Sequence, residues 1–339
     1  DMYIDGVPAN LMATVAKEGN MNSKLVNDNL RPKAYNTIYE AFSKFYGEEN
    51  VSFLPGVSYN KNGSFYEMNE DDIQKVVDAA KFHDYVLLCL GENCYTEKPG
   101  DLNDLNLHKL QLKLANKLSK CGKPIILVLN IGRPRLISEI EPFMSAVLNI
   151  YLPGNLGADA LVDIINGKVN PSGKLPYTYP AFPNSLTTYY YKPSEVQNNS
   201  QGAYNYVGKL NNLYEFGYGL SYTNFEYKDI TIEDDSISAD DSLNISLTVY
   251  NSGDVDGQEV VQVYVSDLFA SITPDNKRLR AFDKVFIKSG ENKKVSFTIP
   301  VKDFSFVNLE NKYVLESGDF TVHVGGNSKD LTSLNFFVR

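Results

Sequence analysis

The strongest constraint on this chain is a change in the period of its apolar residues near residue 226. Upstream, short apolar runs alternate with stretches of helical spacing; downstream, the spacing collapses to two. Leu243, Ile245, Leu247 and Val249 alternate with Asn244, Ser246, Thr248 and Tyr250, and Val295, Phe297 and Ile299 repeat the pattern. A period of two sends successive side chains to opposite faces, which suits a strand buried on one side. Turn clusters at Asn251-Ser252-Gly253-Asp254, Ser289-Gly290-Glu291-Asn292 and Gly325-Gly326-Asn327-Ser328 leave no room for crossover helices. The spacing therefore predicts an antiparallel β-sandwich.

The earlier part of the chain has a different grammar. Apolar runs at 2–7, 51–54, 85–90, 124–130 and 146–152 are candidate strands, with amphipathic helices between most of them. Ile73, Val76, Val77 and Ala80 fall on one helical face behind Glu70, Asp71 and Asp72, whose charge suits a helix N-terminus. Leu107, Leu110, Leu114 and Leu118 mark a second helix, stopped at Cys121-Gly122. Strands separated by helices predict a mainly parallel, doubly wound α/β sheet. The expected organisation is an α/β domain over 1–180, a Tyr/Asn-rich linker over 181–225 and an all-β domain over 226–339. The linker carries Tyr189-Tyr190-Tyr191, Tyr204 and Tyr206, either as packing residues of a tether or as sugar-stacking rings.

Composition narrows the function. A net charge of −10 and a pI near 4.9 disfavour nucleic acid or an anionic membrane surface as a partner. No apolar run approaches the ~20 residues that a spanning helix needs. Cys89, Cys94 and Cys121 lack metal-ligand spacing, and His83, His108 and His323 are scattered, so no metal and no cofactor is expected. Gly91 and Gly100 do not form a phosphate-cradling pattern. The chain opens at Asp1 with neither methionine nor a signal-like leader, as expected of a processed, truncated or excised piece.

The chemistry concentrates in the stretch 86–105, VLLCLGENCYTEKPGDLNDL. An apolar strand stops at Gly91 and releases Glu92, Glu97 and Asp101 into a polar loop before a leucine-periodic helix. Ligands of open α/β sheets collect outside such strand ends. Glu97, five residues out, can reach across a domain interface, whereas Glu92 at the strand end is placed to brace the loop by accepting backbone N–H groups. Arg133, after the next strand, is a candidate to donate to a carboxylate at the sheet edge.

The ordered set YIDGVPAN (3–10), GENCYTEKPGDL, GKPIILVLNIGRPR (122–135), LPGNLGADALVDIINGKVNPSGKLPYTYP (152–180), FGYGLSYTNF (216–225), NSGDVDGQEVVQVYV (251–265) and RLRAFDKV (278–285) resembles the C-terminal half of glycoside hydrolase family 3. The resemblance covers nearly the whole chain. It implies an α/β sandwich followed by a fibronectin type III-like domain, and hydrolysis of terminal β-linked sugars from oligosaccharides or aryl β-glycosides with retention. It also implies Glu97 as general acid/base, with Glu92, Tyr95 and Asp101 binding substrate or bracing the loop. The nucleophile and most sugar contacts would belong to an N-terminal TIM barrel, of which these residues carry neither a nucleophile motif nor an eightfold repeat. Glucose is the default sugar, and secreted or periplasmic action is usual for such relatives. In one departure, the segment ATVAKEGNMNSKLV (13–26) lacks the tryptophan the family often carries. The alternative is a noncatalytic carbohydrate-associated module serving stability or docking.

Overall fold

The structure is a computed structural model that describes residues 35–60, 63–64, 66–93, 101–185, 187–196 and 212–339, with the backbone of Leu11–Val15. It divides into two compact units, Asp1–Val169 and Asn170–Arg339.

The first unit is built on a five-stranded parallel sheet. In chain order its elements are β1 (Leu11–Val15), α1 (Ile38–Tyr46), β2 (Val51–Phe53), β3 (Val57–Tyr59), β4 (Met68–Glu70), α2 (Ile73–Ala80), β5 (Tyr85–Gly91), α3 (Lys109–Leu118), β6 (Ile125–Asn130), β7 (Ala146–Asn149) and α4 (Gly157–Ile165). The sheet order β2-β1-β5-β6-β7 reverses direction between β1 and β5. That reversal makes the sheet doubly wound and puts its switch point beside β5. Leu87 and Cys89 of β5 pack with Ile126, Val128 and residues of α1 and α4, and the intervening Val86, Leu88 and Leu90 are equally buried. A strand covered on both faces has to be apolar throughout, hence the unbroken run in the sequence.

Local chemistry sets the helix ends. Thr37 and Glu40 form a reciprocal capping box before α1, and the Asp72 carboxylate accepts the Lys75 N–H at 2.9 Å before α2. Glu70, expected in that helical turn, instead ends β4 in a short antiparallel pairing with β3. The strand expected over 2–7 falls outside the described residues. The run 146–152 ends as a strand at Asn149, because the Asn149 side chain accepts the Tyr151 N–H at 3.2 Å and Tyr151 takes a left-handed φ of 51°.

The second unit is a β-sandwich. Its elements are β8 (Tyr179–Pro180), β9 (Asn212–Tyr214), β10 (Phe225–Ile232), β11 (Ser236–Ile237), β12 (Ser242–Asn251), β13 (Gly257–Asp267), β14 (Arg278–Ile287), β15 (Asn292–Pro300), β16 (Phe306–Val307), β17 (Tyr313–Val314), β18 (Gly318–Gly325) and β19 (Leu331–Val338). A three-stranded sheet, β10-β12-β15, faces a five-stranded one, β11-β19-β18-β13-β14. Leu243, Ile245, Leu247 and Val249 all enter the core with Val295, Phe297 and Ile299 across the β12–β15 register, as the period of two requires. Residues from Asn170 onward fold with this unit. The Leu175 N–H donates to the Tyr218 carbonyl and the Leu175 carbonyl accepts the Gly217 N–H, both at 2.8 Å, and Tyr189 stacks on Phe216 at 4.3 Å while its hydroxyl accepts the Leu279 N–H at 3.2 Å. The Tyr190 ring lies 3.9 Å from the Arg278 guanidinium. Both rings are therefore engaged in packing within the unit; Tyr204 and Tyr206 lie outside the described residues.

The edge strand β14 is guarded against pairing with another chain. Val263 faces Ala281 and Tyr264 faces Leu279, so Arg280 is an extra residue that bulges the strand. Asp283, paired in register with Val261, is exposed on this strand and adds a charge at the sheet edge. Bulges and edge charges both disfavour edge-to-edge association.

His323 on β18 makes the sandwich sensitive to acid. Ser266 donates to the Asn276 carbonyl at 2.6 Å, so His323 Nε2, 2.8 Å from Ser266 Oγ, must be the N–H donor and Nδ1 accepts from Ser333 at 2.7 Å. Burial, with the nearby Lys277 charge, pushes the imidazole pKa down to about 4. Its unfolded value is near 6.5, so the unfolded chain binds the extra proton between those limits. The neutral ring therefore stabilises the fold fully above pH ~6.5, and this contribution is lost as pH falls toward ~4. The full shift corresponds to ~3 kcal/mol, reduced to roughly 1–2 because the ring is only partly buried. Denaturant midpoints of the β unit should fall from pH 6.5 to 5, and His323→Gln should flatten that slope; parallel slopes would exclude this histidine as the cause.

Candidate functional site

The carboxyl end of β5 is where side chains from separate elements converge. Gly91 ends the strand because no side chain fits: a Cβ there would lie 2.1 Å from the Asn130 carbonyl oxygen on β6. The next residue, Glu92, keeps contact with β6 through its N–H to the same carbonyl at 3.0 Å. Its carboxylate turns back toward the loop after β6. Oε1 accepts from Arg133 Nε at 2.9 Å and lies 3.6 Å from Arg135 Nε, while Oε2 accepts the Gly132 N–H at 3.3 Å. With 5% of its side chain exposed, Glu92 ties its own loop to the loop after β6.

A second set of bonds holds the strand end from the other side. Gln111 on α3 is fully buried, and its Oε1 accepts the Gly91 N–H at 3.1 Å. Its Nε2 donates to the Gly91 carbonyl at 2.8 Å and contacts the Tyr59 hydroxyl at 3.2 Å. Tyr59 donates to that carbonyl at 2.6 Å. Burial lifts the Tyr59 phenol well above its ordinary pKa and the Glu92 charge adds to the shift, against the Gln111 hydrogen bond. It stays a neutral donor at every working pH. Arg135 is buried and donates Nη1–H to the Asp104 carbonyl at 2.9 Å, tying the far end of the loop to the same cluster. A backbone bond from Leu136 N–H to the Leu105 carbonyl at 2.9 Å completes the tie.

Of the residues expected at the site, Glu92 is thus committed to Arg133, and Asp101 is exposed at the return of the loop. Glu97 and Tyr95 lie outside the described residues. Gln111 and Tyr59 were not singled out by the sequence. Gln111 did leave a signal, since it shares a helical stripe with Leu107, Leu114 and Leu118, and a polar residue on a core stripe requires buried partners.

His83 and His108 make local structural bonds, and His83 Nε2 also lies 3.0 Å from Ser52 Oγ on β2. His83 Nδ1 lies 2.9 Å from the Ala79 carbonyl, and His108 accepts the Leu110 N–H at 3.2 Å. Among the described residues no group of three or more His, Cys, Asp and Glu is arranged to hold a metal ion, and no helix is long and apolar enough to cross a membrane.

A doubly wound parallel sheet with polar and acidic residues gathered at its switch point, followed in the chain by an antiparallel β-sandwich, defines a two-domain α/β plus all-β class of protein. Comparison with known proteins agrees. The model of the glycosyl hydrolase family 3 C-terminal domain matches residues 6–222 and that of the fibronectin type III-like domain matches 259–328. The chain belongs to glycoside hydrolase family 3. It is 36% identical over 275 residues to a lysosomal beta glucosidase of Dictyostelium discoideum, covering 78% of this chain and 32% of that protein. A beta-xylosidase of Formosa agariphila is 33% identical over 311 residues, covering 91% and 42%. The crystal structure of a beta-glucosidase from Listeria innocua in complex with glucose superposes with a TM-score of 0.82 at 30% identity, covering 97% of this chain and 45% of the other. The chain thus spans less than half the length of these relatives.

Proposed function

We propose that this chain supplies the acid/base half of a retaining exo-β-glycosidase that removes terminal non-reducing β-linked sugars from oligosaccharides or aryl β-glycosides. The reading is supported by where the acidic segment leaves and rejoins the sheet: Glu92 is held by Arg133 at the switch point, Asp104 and Leu105 are held by Arg135 and Leu136, and Glu97 falls between them in sequence.

In this mechanism the nucleophilic carboxylate comes from a barrel outside these 339 residues. It attacks the anomeric carbon while Glu97 gives its proton to the departing glycosidic oxygen, leaving a glycosyl ester on the nucleophile. Glu97, now a carboxylate, takes a proton from water as that water attacks the same carbon and releases the sugar. Glu92, Tyr95 and Asp101 bind substrate or brace the loop in this reading. The relatives named as beta-glucosidase and beta-xylosidase favour glucosides and xylosides as substrates. A periplasmic beta-glucosidase of Salmonella typhimurium, 34% identical over 263 residues, favours action outside the cytoplasm.

Two carboxyl groups are required, and only one is assigned here. The isolated chain should therefore show no turnover of 4-nitrophenyl β-D-glucoside or β-D-xyloside above the no-protein rate. A polypeptide joining it to the barrel should hydrolyse at least one of them. Turnover by the isolated chain would place the nucleophile within these residues, and an inactive joined protein would favour a noncatalytic module.

A further inference from the structure

We propose that Gln111 is a positioning residue for the acid/base loop, its side-chain amide acting as a substitute strand that fixes the backbone of Gly91; this role rests on the assignment of Glu97 above. β1 lies on the side of β5 opposite β6, pairing Leu11–Val15 with Tyr85–Cys89. Backbone groups of successive strand residues point alternately to the two neighbours. Glu92 N–H bonds to β6, so the N–H and C=O of Gly91 point toward the β1 side.

A peptide group left unpaired there would be a buried loss. The Gln111 amide offers one acceptor and one donor in a fixed plane, and it meets the Gly91 N–H at 3.1 Å and carbonyl at 2.8 Å. Two bonds in one plane define an orientation that one bond does not. Tyr59, bonded to that same carbonyl at 2.6 Å and contacted by Gln111 Nε2 at 3.2 Å, holds the amide against rotation. Glu92 completes the grip from the β6 side. Because Gly91 admits no side chain against Asn130, the strand end cannot be locked by packing of its own, and the clamp from α3 replaces that packing.

The consequence is geometric. Glu97 follows Gly91 by six residues in sequence, so on this assignment the orientation of the Gly91 peptide sets the direction in which the chain departs toward the acid. Binding contacts made elsewhere would be untouched, which predicts a loss in kcat rather than in KM.

In the barrel-containing protein, Gln111→Leu should lower kcat on phenyl β-D-glucoside by about ten- to a hundredfold, with KM within about twofold. On 2,4-dinitrophenyl β-D-glucoside, whose leaving group needs little protonation, the loss in kcat/KM should stay below about threefold, while kcat falls with the displaced base of the second step. Amide exchange in a peptide covering 88–93 should accelerate in the same variant. Tyr59→Phe, which removes one donor and keeps the ring, should act in the same direction by about two- to tenfold and guards against a Gln111→Leu protein that fails to fold. Accelerated exchange with an unchanged leaving-group dependence would overturn the positioning role, since a purely structural clamp predicts that result. Glu97→Ala measured in parallel separates the two assignments. A fully active Glu97→Ala protein would remove the acid assignment, whereas an impaired one beside an unchanged Gln111→Leu dependence would remove the role of Gln111 alone.

Discussion

Replacing Glu97 by alanine in the barrel-containing protein should lower kcat/KM on phenyl β-D-glucoside by about 10²–10⁴-fold, the range that general acid catalysis contributes. Phenoxide is a poor leaving group and must be protonated as the bond breaks, so it reports the acid directly. On 2,4-dinitrophenyl β-D-glucoside glycosylation needs no acid, and the remaining defect is in activating water for the second step. Azide, a nucleophile that needs no general base, should restore turnover there and yield the β-glycosyl azide, with the anomeric configuration of the substrate. The basis is reach: five residues beyond Glu92 span at most about 17 Å, enough to project an acid past the rim of the sheet while its root stays fixed. Equal losses on both substrates, with no azide product, would transfer the acid role to another residue.

Glu92→Leu should destabilise the α/β unit by about 3 kcal/mol, because it removes the shared partner of two largely buried guanidinium groups and the acceptor of the Gly132 N–H. Removing one member of a buried ion pair costs far more than the pair contributes against an apolar replacement, since the remaining charge keeps its burial without its partner. In a unit of this size each kcal/mol moves the melting temperature by about 2–4 °C, so a shift of roughly 6–12 °C is expected by calorimetry. Glu92→Gln retains an acceptor for the backbone N–H and should fall between. A Glu92→Leu protein melting within about 1 °C of the parent would show that the cluster contributes nothing net, as many exposed pairs do.

Much of the architecture was legible in the residues because local periodicity and burial coincide. The run 85–90 is apolar without alternation and becomes a strand covered on both faces; 243–249 alternates and becomes a strand covered on one. The end of β5 at Gly91 was legible from the apolar run that stops there. The short hairpin of β3 and β4 was not, because three-residue strands carry too few residues to show a period. The early end of β7 was hidden for a similar reason, since the apolar Ile150, Tyr151 and Leu152 continue the run while a side-chain turn at Asn149 has already broken the strand.

The sequence by itself determined the succession of an α/β unit and a β-sandwich, the family, and the loop that carries the acids, because each depends on patterns within a few dozen residues. Only the tertiary structure decided that Glu92 is a buried fastener for Arg133 and Arg135, and that Gln111 and Tyr59 grip Gly91 from α3 and β3. Those partners stand 20 to 43 positions apart along the chain, and it is the packing of separate strands and a helix around the end of β5 that brings their polar groups within 2.6 to 3.6 Å of one another.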